Sequence, residues 1–144
     1  MQDIQKIGVI GGGTMGSGIA QVFAMAGYPV LVQDLTEAAL DRARKTIESS
    51  LSRLVKKGSL TEAKANETMG MISTTMVFEL MDDRDLVIEA VVEKLEVKAD
   101  LLKRLDGICG HDAIFASNTS SISLTELASA SAHPGRVIGM HFFN

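Results

Sequence analysis

The sequence predicts an α/β fold, a doubly wound parallel sheet, and three observations carry that expectation. Short β-branched runs alternate with amphipathic stretches at helical spacing along the whole chain, an order that calls for parallel strands joined by helical crossovers. A glycine-rich corner, "GGGTMG" at 11–16, separates the first such run from the first helical stretch. The second run closes on an acid, Asp34. With 144 residues, the chain is long enough for one domain with its own core.

Taken in order, "IQKIGVI" (4–10) reads as a buried strand. "TMGSGIAQVFAMAG" (14–27) follows at helical period through Met15, Ile19, Val22, Phe23 and Ala26, with Gly27 placed for a left-handed end. "PVLVQD" (29–34) is the second strand. A long helix over 36–58 carries the stripe Leu40, Ala43, Ile47, Leu51, Leu54 and Val55, opened by Thr36 and stopped by Gly58. A shorter helix (61–71) is expected to pack back on it, making a helical-pair insertion before "ISTT" (72–75), the third strand. "RDLVIEAV" (84–91) is the fourth strand. The helix over 94–109 is amphipathic through Leu95, Ala99, Leu102 and Leu105, with Gly107 and Gly110 expected to end it. "AIFASN" (113–118) is the fifth strand, "SLTE" (123–126) a capping box opening a helix to about 130, and "RVIGMHFF" (136–143) the sixth strand.

The composition is that of a globular protein, 46% apolar and 22% charged. No run approaches the ~18 apolar residues of a membrane span, and "MQDIQK" lacks the layout of a signal peptide. The single cysteine, Cys109, has no internal partner, so a reducing, cytoplasmic setting is expected. Its thiol reads as an inert group near a helix end. A net charge of −4 argues against nucleic-acid binding; neither nucleic acid, membrane nor metal is expected as a partner. Residues 41–58 nevertheless hold a local +4, from Arg42, Arg44, Lys45, Arg53, Lys56 and Lys57 against Asp41 and Glu48. By itself that is a solvated face.

Gly11, Gly13 and Gly16 satisfy G-x-G-x-x-G between a strand and a helix, with Thr14 and Met15 opening the helix. In a Rossmann-type fold Gly11 makes the tight turn, Gly13 admits a pyrophosphate to the backbone, and Gly16 lets helix and sheet approach. Asp34, 23 residues after Gly11, suits the adenosine ribose hydroxyls and would repel a 2′-phosphate. The following Leu35 supplies no cation. NAD is thus favoured over NADP. Related loops bind FAD and S-adenosylmethionine, and a glycine-rich turn with an incidental Asp is the plain alternative.

Parallel sheets bind ligands beyond the carboxyl ends of their strands. Three groups fall there: "EAVVEK", "SNTSS" with Ser117, Asn118, Thr119, Ser120 and Ser121, and "HFFN" with His141. Separately, the serine-rich loop reads as a turn and the histidine as structural. Together they suit oxidation of a secondary alcohol, in which a base takes the hydroxyl proton as hydride leaves carbon. Ser120 and Asn118 can hold the alcohol and its developing carbonyl.

At this point "IGVIGGGTMGSGIAQVFAMAGYPVLVQD", "DLVIEAVVEKLEVK", "ASNTSS" and "GMHFFN" closely resemble the (S)-3-hydroxyacyl-CoA dehydrogenases, especially the 3-hydroxybutyryl-CoA enzymes. The resemblance spans essentially the whole chain in order and spacing. It implies His141 as general base, Ser120 on the substrate oxygen and Asn118 between nicotinamide and thioester. Glu93 and Lys98 match positions beside the nicotinamide ribose. Ser50 and Lys57 match positions that contact the adenine nucleotide part of coenzyme A, which gives the basic helix an anionic partner.

The family continues past "HFFN" with a glutamate that orients the histidine and a helical domain that closes the cleft and dimerises. This chain is therefore expected to be the cofactor half of an enzyme, able to bind NAD(H) but poor in turnover. The first strand starting so close to Met1 predicts a monofunctional enzyme. Two other readings share these features: an NAD-linked dehydrogenase of a non-CoA hydroxyacid, and a non-catalytic NAD(H)-binding module.

Overall fold

The computed structural model describes residues 3–142. Six parallel strands form one sheet: β1 (Ile7–Ile10), β2 (Val30–Gln33), β3 (Ile72–Thr75), β4 (Leu86–Glu89), β5 (Ile114–Ser117) and β6 (Val137–Gly139). Their spatial order is β3-β2-β1-β4-β5-β6, so the direction of winding reverses between β1 and β4. Five α-helices connect them: α1 (Thr14–Met25), α2 (Glu37–Lys56), α3 (Glu62–Gly70), α4 (Leu95–Ile108) and α5 (Leu124–Ala128). The predicted α/β class and the helical pair between the second and third strands are both present.

Helices lie on both faces because the strands bury both faces. In β1, Ile7 and Val9 join Ile19, Ala20, Leu40, Ile47 and Leu51 on the side of α1 and α2. Ile10 joins Leu101, Leu102, Leu105 and Phe115 on the side of α4. A strand covered on both sides cannot alternate with polar residues, which is why these runs are apolar throughout.

The helix boundaries follow their caps. Thr36 accepts the Ala39 N–H at the start of α2, Thr61 that of Lys64 before α3, and Ser123 that of Glu126 before α5. Gly27 and Gly58 take φ of 94° and 77° after their helices, the left-handed backbone glycine adopts at least cost.

Several sequence expectations are corrected. The buried face of α1 is Gly16, Ser17, Ile19, Ala20 and Ala24; Val22 is 55% exposed and Ala26 lies outside the helix. Small residues win that face because α1 must lie close to the sheet. Gly107 does not end α4, which runs to Ile108. The sixth strand is shorter than expected: Arg136 belongs to a 3-10 turn, pairing as a strand covers only 137–139, and Phe143 falls outside the described residues. A second 3-10 turn, Phe78–Asp83, was not foreseen; it buries Phe78 and Met81 against α4.

Candidate functional site

The parallel register aligns the carboxyl ends of the strands in one row. Gln33 pairs with Thr75 and Ile10, Ile10 with Glu89, Glu89 with Ser117, and Ser117 with Gly139. Every sequence-predicted group except Ser50 and Lys57 follows directly from this row.

At the β1 end the glycine corner is set by close approach. Gly11 has φ of 103°, and a Cβ there would stand 2.6 Å from the Ala90 carbonyl oxygen. This is where the loops after β1 and β4 meet, at the reversal of winding. A Cβ on Gly16 would stand 1.8 Å from the Gly11 carbonyl oxygen, so only glycine lets α1 begin there. Gly13 differs: nothing lies within 4 Å of its Cβ position. The space beside it is open to a ligand. Gly13 caps α1 without a side-chain hydrogen bond, and the first turn, with Thr14 and Met15, holds no acid. Among the five described α-helices only α1 has neither a capping side chain nor a first-turn acid. Its first N–H groups and its positive end are left for an anion.

Asp34 closes β2 beside this corner. Its Oδ2 accepts the Gly12 N–H at 2.8 Å and its Oδ1 the Leu35 N–H at 2.7 Å. A cleft of about 850 Å³ opens here, lined by Gly11, Gly13, Asp34, Val77, Ala90 and Val97 among others. An open pyrophosphate-sized corner, an uncapped helix N-terminus and a carboxylate at the rim of an apolar cleft together fit an adenine dinucleotide.

The other end is built from side chains of three loops. Lys98 of α4 is 2% exposed, with its ammonium 2.7 Å from Glu89 Oε1 and 3.1 Å from Glu93 Oε1. Ser117 donates its hydroxyl to the same Glu89 oxygen. Glu93 accepts the Thr119 hydroxyl at 2.6 Å, the Ser120 N–H at 3.0 Å and the Ser120 hydroxyl at 3.3 Å. Desolvation raises the Glu93 pKa. The Thr119 and Ser120 hydrogen bonds and the Lys98 ammonium outweigh that and hold it down at about 2.

Asn118 ties this loop to the last segment. Its Oδ1 accepts the Phe142 N–H at 3.2 Å, and the Met140 N–H donates to the Ser117 carbonyl at 3.0 Å. His141 sits between those two anchors and is exposed. Phe142 packs toward Phe23 of α1, with ring centroids 6.2 Å apart. Asn144 of the "HFFN" motif falls outside the described residues.

The structure thus brings Glu93, Lys98, Asn118 and Ser120 into one network and Gly11, Gly13 and Asp34 into another. Ser50 and Lys57 belong to neither. Ala43 of α2 approaches the glycine corner, and at about 1.5 Å per residue Ser50 lies ~10 Å and Lys57 ~20 Å further along the helix. Sequence reasoning missed Glu89. An acid closing an otherwise apolar strand, with a lysine nine positions on, was the signal. Burial raises the Cys109 pKa to about 11, and its thiol donates to the Met81 carbonyl, both of which disfavour the reactive thiolate. No helix among the described residues is long and apolar enough to cross a membrane.

Comparison with known proteins gives the family. The model of the 3-hydroxyacyl-CoA dehydrogenase NAD binding domain matches residues 6–144. The chain is 46% identical over 139 residues to a 3-hydroxybutyryl-CoA dehydrogenase of Clostridioides difficile, covering 96% of this chain and 50% of that protein. It is 45% identical to the mitochondrial hydroxyacyl-coenzyme A dehydrogenase of Sus scrofa, covering 98% of this chain and 47% of that one. The crystal structure of (S)-3-hydroxybutyryl-CoA dehydrogenase from Ralstonia eutropha superposes with a TM-score of 0.95 at 44% identity, over 99% of this chain and 50% of that one. The chain spans about half the length of the curated relatives it matches. With its bare-backbone corner, its acid at the end of β2 and a match from Lys6 to its last residue, the chain belongs to the 3-hydroxyacyl-CoA dehydrogenase family as an NAD-binding domain.

Proposed function

We propose that this chain is the cofactor half of an NAD-dependent (S)-3-hydroxyacyl-CoA dehydrogenase that favours short acyl chains and serves fatty-acid or butanoate metabolism. The observation that carries the reading is the pair of hydrogen bonds, Met140 to Ser117 and Phe142 to Asn118, that brackets His141 against the serine-rich loop. NAD, when bound, supplies the hydride acceptor. The glycine corner, with Gly11, Gly13, Thr14, Met15 and Gly16, cradles the pyrophosphate, and Asp34 accepts the adenosine ribose hydroxyls. Glu93, Lys98 and Asn118 border the nicotinamide end.

His141 takes the proton of the 3-hydroxyl as the C–H bonding pair leaves with the hydride, and the alcohol becomes the ketone of a 3-ketoacyl-CoA. An imidazole can take up or give back this proton, so it serves the step in both directions. Ser120 holds the reacting oxygen and Asn118 the thioester side, which fixes the approach of the two reactants. Ser50 and Lys57 meet the adenine nucleotide part of coenzyme A. The rest of the substrate cleft and a homodimer contact are assigned to the second half of the enzyme. A cytoplasmic location suits its single thiol.

Comparing acetoacetyl-CoA with free acetoacetate, using the full-length enzyme and NADH, tests the assignment. The thioester should be reduced with far higher kcat/KM. Equal efficiency would remove coenzyme A from the recognition and favour a non-CoA hydroxyacid.

A further inference from the structure

Glu89 is 4% exposed, and of the groups given a role in the reaction above its side chain touches only Lys98. Yet both its oxygens are committed, to three segments of chain. Oε1 receives the Lys98 ammonium of α4 and the Ser117 hydroxyl of β5, while Oε2 receives the Val91 N–H of the loop after β4 at 3.2 Å. From Lys98 the contacts run on to Glu93, and from Glu93 to both the N–H and the hydroxyl of Ser120. The trio of buried Glu89 and Lys98 with the solvent-facing Glu93 carries one more negative charge than positive. The hydroxyls of Ser117, Thr119 and Ser120 and the Ser120 N–H all point at its carboxylates.

A buried ion pair adds little net stability over an apolar pair of the same shape. A satisfied buried network does hold its members in one arrangement. Such a network, at the junction of two site loops, acts on geometry.

We propose that Glu89 is a positioning residue: by holding the Lys98 ammonium and the Ser117 hydroxyl on one oxygen, it locks the β4–α4 loop to the β5–α5 loop and so sets where Ser120 stands. The inference rests on the assignment of Ser120 to the substrate oxygen. In Glu89→Gln the amide fills the same space but cannot accept from both the Lys98 ammonium and the Ser117 hydroxyl with the strength of a carboxylate. Lys98 is then drawn toward Glu93 alone, and Glu93 loosens its hold on the Ser120 backbone.

The test uses the full-length enzyme, with amide hydrogen exchange and steady-state kinetics measured side by side. In Glu89→Gln the Ser120 amide should exchange about tenfold faster, while the Gly12 amide, bonded to Asp34 at the far end of the row, keeps its rate. With acetoacetyl-CoA, kcat should fall by about tenfold to a hundredfold and KM should stay within about threefold. Glu89→Asp keeps the charge but withdraws it by one methylene, and should show the same pattern in weaker form. Unchanged Ser120 exchange in a folded variant would overturn the proposal. So would faster exchange spread evenly over β4, β5 and the glycine corner, or failure of both variants to fold, since each assigns Glu89 to general stability. Should the wild-type enzyme ignore CoA thioesters, the functional assignment fails while the exchange result still decides whether the lock exists.

Discussion

The two ends of the strand row are built on different principles. The β1 end is backbone: bare glycines, an uncapped helix and one carboxylate that grips its own loop. The β4–β6 end is side chain: a buried lysine between two glutamates, with serine, threonine and asparagine joining three separate segments. A backbone cradle is specified locally, over six residues. A side-chain network needs partners dozens of residues apart to arrive together, so it can be tuned residue by residue while the cradle cannot.

The sharpest break between the ends should come from His141→Ala in the full-length enzyme. Turnover should fall by about 10²- to 10⁴-fold, with NADH affinity, read by fluorescence titration, unchanged within about twofold. A parallel loss of NADH binding would place the imidazole in the cofactor site instead.

Next come two substitutions inside the cradle that look alike in sequence and should behave oppositely. Gly16→Ala drives a methyl into the Gly11 carbonyl and should cost about 3 kcal/mol or more, seen as a lower urea midpoint. Gly13→Ala meets nothing in the protein, and its φ of −72° is open to alanine. Its midpoint should hold, while NADH binding weakens about tenfold through one lost phosphate hydrogen bond.

The smallest effect is one of pH. Glu93 titrates at about 2, below the usual 4.5, so the folded state binds the proton less readily than the unfolded chain does. Its contribution to stability is complete above pH 4.5 and is lost as pH falls toward 2. Thermal midpoints of Glu93→Gln should therefore fall less steeply across that window than those of the wild type. Equal slopes would mean that the Ser120 and Thr119 contacts do not favour the ionised form.

What could be read from the sequence follows the same division. Caps and turns are local, and Thr36, Ser123, Gly27 and Gly58 stand where spacing put them. The face of α1 was misread because apolar size was counted. Contact with the sheet selects the small residues Gly16, Ala20 and Ala24, and leaves Val22 outside. The 3-10 turn at Phe78–Asp83 has no helical or strand period to reveal it, since Phe78 and Met81 are three apart in a mixed stretch. The residue types of the β4–β6 end were visible, but their pairing was not. Nothing in a linear chain says that Glu89 and Ser117 lie side by side until β4 and β5 are known to be neighbours in register.

That register carries a consequence for how errors in this sheet would be felt. Five of the strands have only four residues and the sixth has three, so the sheet behaves as a ruler with very few graduations. If β5 slid by a single residue against β4, its loop would travel about 3.3 Å and the Ser117 side chain would turn to the opposite face. The lysine–glutamate cluster would then face an alanine or an asparagine where it now finds a hydroxyl.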